Sequence, residues 1–164
     1  MAITKDKKQE VIAKVADSVK DAASVVFVGF KGLSVGDTSA MRRSLRDSGI
    51  GYYVAKKTLI RRALADRGYT GTMPELPGEI AVAWSDQDAT APAREIYEHG
   101  KKHKGSLSIA GGVFEGKFAD ASFMTAIATI PPVPVLRGMF VNVINSPIQG
   151  FVIALNEIAK KKAA

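Results

Sequence analysis

The chain has 164 residues, of which 46% are apolar, and this length and composition suit one domain with an appendage and a real core. Its 23 basic and 16 acidic residues leave a formal net charge of +7, which favours a nucleic-acid partner over small acidic substrates. The absence of cysteine excludes disulfides and thiolate metal sites, and the charged N-terminal segment MAITKDKKQE predicts no secretory signal.

The apolar pattern predicts helices and strands that alternate along residues 4–127. Valines recurring every four positions, as at Val11 and Val15, predict a first helix over 4–20, and the apolar run SVVFVGF predicts a buried strand at 24–30. The alternation of Ile50, Tyr52 and Val54 predicts a half-buried strand. An irregular connector is expected over 68–77, which contains two glycines and two prolines. Further strands are predicted at 80–84 and 106–110, the latter bending at Gly111-Gly112 and continuing to 114, and further helices at 88–102 and 120–127. Strands alternating with helices favour an α/β (α+β-like) single-layer domain of about four strands with flanking helices.

Positive charge is concentrated between Gly29 and Leu64, where eight basic residues accompany two acidic ones. Asp37 is expected to cap a helix that buries Met41 and Leu45 and ends at Gly49. A second helix, entered through the turn Lys56-Lys57-Thr58, is expected to bury Leu59, Ile60, Ala63 and Leu64. Both helices then direct their bases outward beside one strand, a surface suited to the phosphates of structured RNA or DNA; a solvated basic face is the alternative. The candidate RNA contacts are Lys31, Arg42, Arg43, Arg46, Lys56, Lys57, Thr58, Arg61 and Arg62.

Three prolines within residues 130–135 predict a semi-rigid hinge. The hinge would separate a domain of residues 1–129 from an extended C-terminal helix over 136–162. The 19 residues from Gly138 to Asn156 carry no charge and place apolar side chains on every side of a helix, so this helix needs a partner or a membrane. Asparagine and glutamine spread through the span argue against membrane insertion, and packing on its own domain is a further alternative.

The C-terminal segment also contains an internal repeat. Phe140–Asn145 recurs eleven residues later as Phe151–Asn156, close to three helical turns, so both copies face the same way. Pro147, which lies between the copies, is expected to kink the helix and separate two docking modules for helical partners. Coincidence within a compositionally biased segment is the alternative. The candidate contacts are Leu136, Phe140, Val141, Ile144, Ile148, Phe151, Val152 and Leu155.

Two signals for catalysis are weak. His99 and His103 have the i, i+4 spacing of a metal pair, but lysines surround them and no third-ligand motif follows, so a solvated helix end is favoured. The glycine-rich segments lack the order of a phosphate-binding loop. We therefore expect no enzyme, no metal site and no cofactor.

Several short motifs occur in one order along nearly the whole chain. They are Phe30-Lys31-Gly32-Leu33, Val54-Ala55-Lys56-Lys57-Thr58-Leu59 with Arg61-Arg62-Ala63-Leu64, Gly111-Gly112-Val113-Phe114-Glu115-Gly116-Lys117, and Ile127-Ala128-Thr129-Ile130-Pro131. In these motifs the chain resembles the bacterial family of the tenth large-subunit ribosomal protein, the base of the ribosomal stalk. It departs from that family at Phe30-Lys31, where Tyr-Arg is usual, at Lys57, where Asn is usual, and at Glu79, where Pro is usual.

The resemblance implies a cytoplasmic, structural constituent of the large ribosomal subunit. It implies binding of large-subunit (23S) rRNA at the stalk base, beside large-subunit ribosomal protein eleven. It further implies that tandem segments of the C-terminal helix tether two dimers of the acidic stalk protein (seven/twelve), which recruit translation factors. Two other functions remain open: a general nucleic-acid-binding regulator that dimerises through the C-terminal helix, and a membrane-tethered protein.

Overall fold

The fold is known from a computed structural model, which describes residues 5–20, 22–65, 67–103 and 105–163. The chain divides after Ile130 into two compact units. The N-terminal unit contains five strands and five helices among the described residues, and the C-terminal unit is one helix. In chain order the elements are α1 (Lys5–Lys20), β1 (Ser24–Phe30), α2 (Val35–Asp47), β2 (Gly51–Val54), α3 (Lys57–Ala65), β3 (Glu79–Ser85), α4 (Ala91–Lys102), β4 (Leu107–Phe114), β5 (Lys117–Asp120), α5 (Ala121–Ala128) and α6 (Val133–Ala163).

The five strands form a single antiparallel sheet in the order β2-β3-β1-β4-β5. The central strand β1 pairs with β3 on one side and β4 on the other, and the four residues from Val25 to Val28 are at most 1% exposed. Consecutive burial of this kind requires cover on both faces of the sheet, which explains why β1 is a continuous apolar run rather than an alternating one. The structure therefore confirms an α/β domain with flanking helices.

Two apolar clusters cover the two faces of the sheet. On the first face, α2, α4 and α5 contribute Met41, Leu45, Ile96 and Met124 to a cluster with alternate residues of β1 and β3. On the second face, α1 and α3 pack with the connector; Val15, Val19, Ile60, Leu64 and Leu76 belong to this cluster. The connector over residues 68–77 is irregular, as predicted.

The pairing of β4 with β1 changes register next to the glycine pair of β4. Phe27 lies opposite Gly111 whereas Val28 lies opposite Ile109, so Ala110 is an extra residue in the ladder. Gly111 has φ 139°, and a Cβ there would lie 2.7 Å from Pro74 Cγ. The predicted bend is thus a β-bulge within one strand. The sequence pattern did not predict β5, which pairs with β4 from Gly111 to Phe114, because its four residues KFAD carry too little apolar signal.

Two local predictions about the basic region need correction. The N-cap of α2 is Ser34 and not Asp37, since Ser34 Oγ accepts a hydrogen bond from the Asp37 backbone N–H at 3.1 Å. In β2, Tyr52 packs on the first cluster, Tyr53 packs on the second and Val54 is 40% exposed. The alternating pattern predicted burial of one face of this strand. In the structure both faces are partly covered, because helices lie on both sides of the sheet.

The C-terminal helix α6 begins at Val133, within the segment predicted to be a hinge. Pro131 and Pro132 precede the helix, and the Pro132 carbonyl accepts hydrogen bonds from the N–H groups of Val135 and Leu136. Pro134 is tolerated because it lies in the first turn, where its missing N–H has no helical partner. Pro147 lies inside α6, which remains one helical element of 31 residues, so the two predicted modules belong to a single helix.

Candidate RNA-binding and helix-binding surfaces

The bases expected to form one surface lie on both sides of the sheet. The helix α2 covers the first face and exposes Arg42, Arg43 and Arg46, whereas α3 covers the second face and exposes Arg61 and Arg62. Between them in the chain is β2, which forms one edge of the sheet. The two arginine groups therefore flank an edge strand, and a polyanion that touches both must pass around that edge.

Another group of bases meets at one end of the sheet, where β1 and β2 finish and β3 begins. Lys56, Lys57 and Thr58 border an open cleft of about 520 Å³. Lys31 borders a second opening of about 280 Å³, which shares Phe30 and Glu79 with the first. The antiparallel register brings Lys31 near this cleft, although 25 residues separate it from Lys56 in the sequence. We call the two openings together the sheet-end cleft.

Two tyrosines of β2 hold basic side chains at the sheet edge. The Arg42 guanidinium carbon lies 5.5 Å from the centre of the Tyr52 ring, and Lys14 Nζ lies 5.2 Å from the centre of the Tyr53 ring. Burial raises the pKa of Tyr52 while the nearby Arg42 partly opposes that rise, so this phenol stays neutral near pH 7. Cation–π contacts limit the rotamers of both bases and so pre-order them for a ligand. The sequence pattern did not single out Lys14, because only tertiary packing places it beside Tyr53.

The histidine pair lies where α4 ends. His103 Nδ1 is 4.0 Å from Asp37 Oδ2 at the start of α2. Burial lowers the pKa of His99, and Lys102 lowers it further by charge repulsion. Within the described ranges, no three His, Asp or Glu side chains come together in a way that could hold a metal ion. These features are those of a helix end in contact with a neighbouring helix.

The C-terminal helix α6 exposes its apolar side chains. Phe140 and Phe151, the first residues of the two repeats, are 67% and 65% exposed. Ile153, on another side of the helix from Phe140, is also exposed, so no single side of α6 is the apolar one. All eight predicted contact residues are exposed: Leu136, Phe140, Val141, Ile144, Ile148, Phe151, Val152 and Leu155.

Charge is confined to the ends of α6. Arg137 lies in its first turns, and Lys160, Lys161 and Lys162 lie in its last turn beside Glu157, which accepts a hydrogen bond from Lys160 Nζ at 3.1 Å. By length and composition, residues 133–162 could cross a membrane. The amides between them, including Asn142 and Asn145, are costly in lipid because each needs a polar partner. These amides argue against a membrane-spanning role for α6.

Comparison with known proteins finds that the chain is similar to one family. The family model described as "Ribosomal protein L10" matches residues 3–101. Over 157 residues the chain is 37% identical to the large ribosomal subunit protein uL10 of Shouchella clausii, covering 96% of this chain and 94% of that protein. It is 36% identical to the protein of the same name in Staphylococcus saprophyticus, covering 98% of this chain and 94% of that protein. The Staphylococcus carnosus protein of that name is 32% identical, with 94% and 93% covered.

Proposed function

Because the chain belongs to the ribosomal protein L10 family, we propose that it binds large-subunit rRNA through its N-terminal unit and holds dimers of an acidic stalk protein on α6. Family membership confirms the resemblance found in the sequence and the expectation of a non-enzymatic, cytoplasmic ribosomal protein of the large subunit. The proposal goes beyond family membership in three points: the rRNA contacts, the stalk dimers and the neighbouring ribosomal protein eleven.

The observation that carries the proposal is α6. Nineteen consecutive uncharged residues form a helix whose apolar side chains are exposed, with bases at both ends. Exposed apolar side chains on this scale mark an interaction site. The flanking charges favour an acidic partner, and the repeat at Phe140 and Phe151 supplies two equivalent sites along one helix. This arrangement supports two dimers, one on each repeat.

The rRNA part of the proposal is supported by exposed bases in three places on the N-terminal unit. They are the arginines of α2, the arginines of α3 and the lysines of the sheet-end cleft. Arginine binds phosphate with two parallel hydrogen bonds, and lysine acts as a point charge. The residues predicted from the sequence to contact RNA, together with Lys14, are therefore the proposed rRNA contacts. Contact with ribosomal protein eleven rests on the family alone.

Native mass spectrometry of the tagged protein, purified from its own cells, tests the α6 part. We expect one copy of this chain with four copies of a small acidic protein. Six copies would keep the function and contradict the count of two sites. A homodimer without an acidic partner would favour a nucleic-acid-binding regulator that dimerises through α6. A chain cut after Pro131 serves as the control, because it should lose the acidic protein and keep the RNA.

Salt-dependent binding tests the RNA part. Replacing both Arg61 and Arg62 with Ala should weaken binding to a large-subunit rRNA fragment. The slope of log affinity against log salt should fall by roughly 0.7–0.9 for each phosphate that the protein no longer neutralises. Arg67→Ala is unsuitable as a control because its guanidinium donates a hydrogen bond to the Ala16 carbonyl. Lys117→Ala, an exposed base on β5 away from these surfaces, serves instead, and equal slopes for both variants would remove the α3 arginines from the interface.

A further inference from the structure

The sheet-end cleft combines three kinds of side chain, of which a surface for phosphates alone requires only the cationic one. Its apolar part comes from the half-buried ring of Phe30 and from Val54, which is 40% exposed. Its cationic rim comes from Lys56 and Lys57, both exposed. Its single acidic side chain among the lining residues is the exposed carboxylate of Glu79.

The sheet register holds the aromatic ring and the carboxylate side by side. Phe30, the last residue of β1, lies directly opposite Glu79, the first residue of β3. Directly opposed residues of antiparallel strands direct their side chains to the same face, a few ångströms apart. Both residues line both openings of the cleft, about 520 Å³ and about 280 Å³ in volume. A planar ligand against Phe30 would therefore present its edge to Glu79.

An unpaired nucleotide matches these walls, whereas a double helix does not. Proteins bind unpaired RNA bases by stacking them on aromatic rings and bonding to their Watson–Crick edges, while cations hold the backbone. An ionised carboxylate only accepts hydrogen bonds, so it selects an edge that carries donors. Guanine offers two adjacent donors, N1–H and the N2 amino group. Uracil has one donor between two carbonyl oxygens, which the carboxylate repels.

We propose that the sheet-end cleft binds one unpaired guanine nucleotide, stacked on Phe30, hydrogen-bonded to Glu79 and held at its phosphates by Lys56 and Lys57. This inference rests on the proposed function, since it takes RNA as the partner. It adds a base-specific contact to an interface whose other proposed contacts are with phosphates. Such a contact fixes the position of the protein along an RNA.

Fluorescence anisotropy with labelled heptaribonucleotides tests the inference on the full chain. The probes are heptauridine and the same strand with guanine or adenine as its central base, all at one salt concentration. We expect the guanine strand to bind about tenfold more tightly than heptauridine, as one bidentate base contact provides. Glu79→Gln should abolish this difference and leave heptauridine binding unchanged or slightly tighter. Glu75→Gln is the matched control, an exposed carboxylate outside the cleft lining.

The stacking contact is tested at Phe30. Leucine at this position keeps an apolar side chain and removes the aromatic face, so Phe30→Leu should weaken binding of the guanine strand by about tenfold. Phe30→Tyr retains the ring and should bind as the unaltered chain does. Circular dichroism checks that both variants are folded, and Glu79→Gln, at an exposed position, tests the proposal independently of folding.

The outcomes separate this inference from the proposed function. A chain that binds a large-subunit rRNA fragment, yet binds the heptamers irrespective of the central base or not at all, overturns the guanine site alone. A guanine preference that survives Glu79→Gln overturns it as well. A chain that binds neither the rRNA fragment nor any heptamer overturns both proposals.

Discussion

Phe27 and Phe151 illustrate two uses of the same amino acid in one chain. Phe27, in the central strand β1, is 0% exposed, whereas Phe151, in α6, is 65% exposed. The N-terminal unit buries its apolar residues in two clusters on a sheet, while α6 leaves its own exposed. Apolar side chains thus stabilise the interior of one region, whereas in the other they are exposed and are proposed to bind a partner. Substitutions matched between the regions test this distinction.

The largest difference is expected for removal of an aromatic ring. Phe27→Ala should lower the free energy of unfolding of the N-terminal unit by about 3–5 kcal/mol, because a fully buried ring is removed and a cavity remains. Phe151→Ala should leave it unchanged. Urea denaturation followed by fluorescence of Trp84, the single tryptophan and a β3 residue, reports on this unit alone. A destabilising effect of Phe151→Ala would show that α6 supports the N-terminal core.

An intermediate difference is expected for the glycines. A Cβ on Gly112 would meet the Val25 carbonyl and lie 2.8 Å from Met124 Cε, so Gly112→Ala should destabilise the N-terminal unit by about 1–3 kcal/mol. Around Gly138 in α6 the space is open, and alanine should favour the helix by roughly 1 kcal/mol. The Trp84 transition should shift for the first variant only, while far-UV circular dichroism should record more helix for the second. If both substitutions stabilised, or both destabilised, the unit in which they lie, the distinction between the regions would be contradicted.

The smallest difference concerns how helices begin. Ser34→Ala removes the side chain that accepts from Asp37 N–H and should cost about 1 kcal/mol. Ser39→Ala, one turn later, should be neutral or slightly stabilising, since Ser39 Oγ donates only to the Val35 carbonyl within the helix. The same urea titration measures both. Equal effects of the two substitutions would mean that the Ser34 hydroxyl contributes nothing to the start of α2.

The sequence predicted well those elements whose pattern is long or strongly apolar. The strand at Ser24–Phe30 and the buried residues Leu59, Ile60, Ala63 and Leu64 of α3 are as predicted. The strand β5 was missed and the cap of α2 was misplaced, because each depends on a few polar residues whose partners are set by nearby geometry. The proposed contact residues are all exposed; the helical pattern predicted this for the arginines of α2 and α3 only, and exposure does not test binding.

Composition and periodicity were enough to establish a basic, cysteine-free chain, an alternating α/β domain and a C-terminal helix with a long uncharged stretch, because charge, burial period and helix length are properties of contiguous residues. The tertiary structure was needed to place α2 and α3 on opposite faces and so divide the predicted basic surface. It was also needed to bring Phe30, Lys56 and Glu79 to one cleft. Those positions depend on strand order and register, which arise from contacts between residues far apart in the chain.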